Sequence, residues 1–288
     1  MCPNLMAGTR NHETTKPRKR LWCVSWFRGF VVSWLGLVSS VSAADDPLER
    51  ARLLYNQRQF QAAVTAAEQA RRLPGRGDSA DLVAARAYLE RFRESAASDD
   101  LVNARERLRR LDPQRFMPRE RVEYIVGLGE TLYFDQSFGA AASVFDSVLQ
   151  SRELLAAGAR DRVLDWWADS LERDVRSRSE NDRRAAYERI RERMQDELAQ
   201  HSTSGTAAYW LVAAARGHGD LQAAWDAAQA GWVRAPLAAD KGAALRADLD
   251  RLMLRAIIPE RAKAMPSPAQ SAQALQQEWE RFKERWKR

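Results

Sequence analysis

Cysteine is nearly absent from this chain of 288 residues. Both copies, Cys2 and Cys23, lie within the first 44 residues. Beyond that point no thiol remains, which excludes disulfides, cysteine nucleophiles and thiolate metal sites. Histidine is almost as scarce. After residue 44 only His201 and His218 remain, and no carboxylate stands at a recognised ligand spacing from either, so no metal site is expected. A phosphate-binding glycine loop is also missing. Gly127-x-Gly129 falls within a helical pattern and lacks the preceding strand that a dinucleotide site needs. No segment alternates apolar and polar residues as a half-buried strand does. Neither a catalytic residue nor a cofactor is expected.

The first 44 residues read as an export segment. Lys16, Arg18, Lys19 and Arg20 form a basic cluster, Gly29–Val41 is a short apolar run, and Val41-Ser42-Ala43 offers small residues before Ala44. Basic, apolar and small is the order of a secretory signal. The run is short for a membrane span, which needs about 20 apolar residues. The alternative is an anchor over residues 21–44, which would place Arg28 in the bilayer. Removal of this segment changes the charge. It takes six of the 46 basic side chains and one of the 39 acidic ones, leaving 40 and 38, a surplus of two instead of seven. A near-neutral remainder is a poor polyanion ligand, so nucleic acid is not expected as a partner. An exported, periplasmic location suits such a chain, with contact to the cell envelope as a further expectation.

From residue 45 onward the sequence is rich in alanine, leucine, arginine and glutamate, all strong helix formers. One spacing recurs three times. From Gly129, Leu132, Phe138, Ala141, Phe145 and Val148 stand at offsets 3, 9, 12, 16 and 19. The same offsets from Ala51 select Leu54, Phe60, Ala63, Ala67 and Ala70. From Val212 they select Ala215, Leu221, Ala224, Ala228 and Gly231. The spacing predicts helix pairs over about 46–73, 79–112, 119–150, 153–200 and 204–235. A small residue would mark each crossing, at Ala51, Ala85, Gly129, Ala168 and Val212, separated by 34, 44, 39 and 44 residues. Arg173–Arg184 is expected to be a loop or a solvated helix extension. A further helix is expected over 240–257, then a break from Pro259 to Pro268. Last comes a helix whose stripe of Ala272, Leu275, Trp279, Phe282 and Trp286 either caps the array or docks a partner or membrane.

On these residues the chain resembles the tetratricopeptide repeat family over roughly 46–236, although Leu54, Leu132 and Ala215 stand where the family favours tyrosine. The resemblance implies an all-α, right-handed helical-repeat solenoid with C-terminal capping helices. Its parts would be an export segment at 1–44, repeats over 45–238 and a helical cap over 239–288. It also implies a groove lined by the first helix of each pair, with Tyr55, Glu123, Glu130, Tyr133, Phe134, Asp165, Asp169, Tyr209 and Arg216 facing a protein or peptide partner. The acids in the middle of that set favour a partner with basic and apolar side chains. The expected role is a non-catalytic scaffold. A cell-wall glycan-binding or lytic accessory protein, or an anchored assembly factor, remains the alternative.

Overall fold

The computed structural model describes residues 46–287, apart from 151–154, 156 and 239. The expected export segment lies outside the described residues. All regular elements described are helical, with no strand among the described residues.

Ten helices follow one another in consecutive pairs. They are α1 (Pro47–Asn56) with α2 (Phe60–Arg71), α3 (Gly77–Ser95) with α4 (Ser98–Arg110), α5 (Pro118–Phe134) with α6 (Phe138–Gln150), α7 (Ala157–Asp174) with α8 (Glu180–Gln200), and α9 (Gly205–His218) with α10 (Leu221–Arg234). Local chemistry fixes several starts. The side chains of Asp46, Ser204 and Asp220 accept from the backbone N–H groups of Leu48, Ala207 and Ala223 at 2.9, 3.1 and 2.8 Å, satisfying donors that the first helical turn leaves unpaired.

The turn inside three of the pairs is the same turn. Gln59 N donates to Leu54 O at 2.9 Å, Ser137 N to Leu132 O at 2.9 Å and Asp220 N to Ala215 O at 3.0 Å. These residues stand at equivalent places in the three sequence copies. In each, one residue takes the left-handed conformation that closes a helix C-terminus: Arg58 at φ 62°, Gln136 at φ 61° and Gly219 at φ 94°. Only the third copy uses the residue for which that conformation is unstrained.

The five small crossing residues are all buried. Ala51, Ala85, Ala168 and Val212 are 0% exposed, and Gly129 is buried beneath the Phe145 ring of α6, so that a Cβ there would overlap the ring. Each odd-numbered helix also touches the next odd-numbered one, from α1 to α3 through to α9. The fourth pair departs from expectation. Residues 175–179 form the turn, with helix on both sides, and α8 packs along α9 far more than along its own partner α7. Gly217 of α9 permits this, because a Cβ there would overlap the Tyr187 ring of α8.

The expected break at Pro259 does not occur. α11 (Ala243–Leu252) runs through a π-helical segment, Met253–Ile257, directly into α12 (Ile258–Lys263). Proline lacks the N–H that the ordinary ladder would use, and a wider turn beside it lets the helix continue. The break falls instead at 264–267. α13 (Pro268–Arg285) then buries Leu275, Trp279 and Phe282. The Trp279 ring meets Trp232 and Trp225 of α10 at centroid distances of 5.4 and 6.2 Å, and its Nε1 donates to Asp250 of α11 at 2.9 Å. The stripe is therefore covered by the fold, except at Trp286, which is 47% exposed. One hydrophobic cluster runs from Val122 to Phe282, so α11–α13 share a core with α5–α10.

Two substitutions check this geometry. Gly129→Ala is expected to lower stability by about 1–3 kcal/mol, because Phe145 cannot move without repacking the core. Gln136→Gly is expected to raise it by about 0.5–1 kcal/mol by relieving the left-handed residue. Thermal unfolding of each variant beside the parent reads both signs.

Candidate partner-binding face

The odd-numbered helices bring side chains from separate units together. In α3, Arg86 stacks over Tyr55 of α1, its guanidinium carbon 4.5 Å from the ring centroid. The same guanidinium donates to Glu123 of α5 at 2.8 Å. Arg52 of α1 donates to Glu120 at the start of α5 at 2.7 Å. Arg162 of α7 reaches Glu90 of α3 at 3.7 Å, and Glu90 also pairs with Arg93. Glu130 of α5, only 9% exposed, is held in the field of Glu90, Arg86, Arg162 and Arg93. Burial, and next the charge of Glu90, push its carboxyl up to about 8 against the pull of the three arginines. Burial likewise pushes the Tyr55 hydroxyl up to about 12.

A second cluster lies further along. The Tyr133 hydroxyl donates to Asp169 of α7, and burial followed by that carboxylate raises it far above the ordinary tyrosine range. Arg173 donates to the same Asp169 at 2.6 Å and lies 5.3 Å from the ring centroids of Tyr133 and Phe138. Beyond it, Tyr187 donates to Glu172 at 3.3 Å, and Arg216 donates to Glu260 of α12 at 2.9 and 3.1 Å.

Of the nine residues expected on the face, Tyr55, Glu123 and Glu130 meet in the first cluster, and Tyr133 and Asp169 in the second. Arg216 leads into α12. Of the other three, Phe134 and Asp165 turn to neighbouring helices. Phe134 packs edge-on against Phe92 at 5.0 Å. Asp165 accepts from Trp210 Nε1 at 2.8 Å. Tyr209 is half-buried beside Trp210, centroid to centroid 5.8 Å.

Two of the expected acids lie deeper than two neighbouring arginines. Glu130 and Asp169 are 9% and 6% exposed, whereas the side chains of Arg119 and Arg162 are 85% and 51% exposed. A carboxylate on a short stem stays near the helix, and a guanidinium on a long stem covers it and ends in water. Glu130 and Asp169 lie deep, and Arg119 and Arg162 reach into water.

Sequence reasoning missed Arg86, Glu90, Arg93 and Glu260. A signal was present in the separations. Arg86–Glu123, Tyr133–Asp169 and Arg216–Glu260 pair across 37, 36 and 44 residues, close to the spacing of the units. A buried bidentate pair obeys the same rule: Arg160 donates to both oxygens of Glu197 at 2.7 Å across 37 residues. Burial alone would raise the Glu197 carboxyl, but the Arg160 hydrogen bonds hold it below the ordinary range.

Trp167, Trp210 and Trp225 are buried, and Trp166 packs against Phe145 at 5.6 Å. His201 contacts Glu197 at 2.9 Å. No group of three or more His, Cys, Asp or Glu residues suited to a metal ion occurs among the described residues, and none of the described helices is long and apolar enough to cross a membrane. No protein-family model, curated protein or solved structure matches the chain.

Glu130 sets a pH dependence. An acid whose folded pKa is raised binds a proton in the folded state that the unfolded state releases, so stability falls as pH rises from the unfolded value of 4.5 through about 8. Glu130→Gln keeps the neutral shape at every pH. The variant is expected to gain stability relative to the parent as pH rises from 5 to 9. Unfolding midpoints of both chains across that range check the sign, and a constant difference would refute it.

Proposed function

We propose that this chain is an exported, non-catalytic scaffold, built as a right-handed tetratricopeptide-like solenoid, that holds a protein or peptide partner against its odd-numbered helices. The observation that carries the reading is the set of five buried crossing residues, Ala51, Ala85, Gly129, Ala168 and Val212. Each lies on an odd-numbered helix that touches the next. A stack of helix pairs joined in that way presents one continuous face made of the first helix of each unit.

The layering of charge on that face specifies the partner. Arg119 and Arg162 stand outermost, above carboxylates already engaged by other arginines. An extended segment bearing carboxylates complements such a surface better than a basic one. The inward packing of Trp167, Trp210 and Trp225 favours this reading over cell-wall glycan binding, which would need exposed aromatic faces.

A photo-crosslinking residue placed at Arg119 or Arg162, compared with one at Glu106 or Arg109 of α4, tests the face directly. Capture of a common partner from the first two positions and not from the second two is the expected result. Equal capture from both sides, or capture unaffected by charge reversal at the remaining arginine, would refute it.

A further inference from the structure

We propose that the corner where α10 and α13 end is a docking surface for an anionic lipid headgroup layer. Seven large apolar side chains are exposed among the described residues, and three of them, Val233, Leu237 and Trp286, belong to this corner. Arg246 of α11 ties the ends of α10 and α13 to each other. Its Nε donates to the carbonyl of Trp232, next to Val233, and its Nη2 to the carbonyl of Trp286, each at 3.4 Å. Leu237 ends the short 3-10 turn Ala235–Leu237 that directly follows α10.

The stripe of α13 itself is not the docking element, because Leu275, Trp279 and Phe282 are already covered. What remains exposed is one indole at the end of α13 and two aliphatic side chains at and just after the end of α10, the two helix ends being tied by Arg246. An indole that is apolar on one side and wet on the other is at home at the headgroup level of a bilayer. Aliphatic neighbours add shallow burial to that contact.

The surrounding charge supplies the sign. Residues 281–288 carry five basic side chains and one acidic one. The acid, Glu284, is occupied by Lys287 at 3.1 Å, and Lys283 is held by Asp250 at 2.7 Å. Arg285 is exposed and makes no ion pair among the described residues, and Arg234 beside Val233 is exposed too. Basic side chains around an apolar contact are attracted to anionic lipid and not to a zwitterionic layer. A polyanion such as nucleic acid would use the charge but gain little from Val233 and Leu237.

Because residues 1–44 of the full chain include an apolar run, total vesicle binding would not isolate the corner, and a local readout is needed. Hydrogen exchange of the full chain is measured without vesicles, with phosphatidylcholine vesicles, and with equimolar phosphatidylcholine and phosphatidylglycerol vesicles. The expected result is exchange slowed about fivefold or more in segments 233–238 and 282–287 with phosphatidylglycerol alone. That slowing is expected to disappear in a Trp286→Ser, Leu237→Ser variant, whose substitutions are at the surface and whose helical circular dichroism should match the parent. Unchanged exchange in these segments would overturn the proposal. So would equal slowing on phosphatidylcholine, slowing by nucleic acid in place of vesicles, or slowing that survives in the variant.

Discussion

The close crossing of consecutive helices is the constraint on which the rest of the structure depends. Gly129 lies against the Phe145 ring with no room for a methyl group, and Ala51, Ala85, Ala168 and Val212 are fully buried at the equivalent places. Small residues let two backbones approach until larger neighbours interlock. Once the crossing is fixed, so is the direction in which the chain leaves the pair. The repeated turn through Gln59, Ser137 and Asp220 then delivers the second helix at the same relation each time. Odd-numbered helices come to lie beside one another as a consequence, and side chains about one unit apart in sequence become neighbours in space.

That adjacency explains why so many ionisable groups could be placed inside. A buried ion pair gives up hydration and is tolerated only when its partners are well placed. Here rigid spacing places them. Arg160 meets both oxygens of Glu197, and Arg173 reaches Asp169 while lying against two aromatic rings. Glu130 is the exception that measures the rule. It sits opposite Glu90, and its carboxyl responds by holding its proton to about pH 8. A second full negative charge at that depth would be the costlier choice.

The helix pairs and their crossing residues were legible because they depend on spacing along one helix and on residue size. The helix through Pro259 was not legible, because the π segment Met253–Ile257 leaves no mark in composition. The preference of α8 for α9 was hidden as well. It depends on Gly217 receiving Tyr187, a match between residues on different helices. The nine residues expected on the face all fall on odd-numbered helices, but their depth was not legible. Periodicity places Glu130 and Asp169 on the same side as Arg162 and says nothing of depth. Depth is decided by stem length and by which side chain from another unit folds over, as Arg162 does toward Glu90. Arg86 and Glu90 escaped for a different reason: the second unit lacks the glycine and phenylalanine that mark the third.

The two halves of the fold hold together differently, and this bears on how a partner could act. α5–α13 share one cluster that contains Trp167, Trp210, Trp225 and Trp279. α1–α4 rest on smaller clusters, of which the first is mostly alanine, with Ala51, Ala66, Ala67, Ala70, Ala80 and Ala84. A methyl group removes little surface from water, and an indole removes several times as much. The first two units therefore lean more on polar contacts, across units through Arg107 to Glu68, Arg86 to Glu123 and Arg52 to Glu120, and within the second through Arg107 to Asp81. Such contacts are weakened by salt and by competition from other charges. An acidic segment arriving at the arginine layer would compete for these guanidiniums where the apolar core is thinnest. The same electrostatics that close α1–α4 onto α5 thus leave that end of the array the one most sensitive to salt and competing charge.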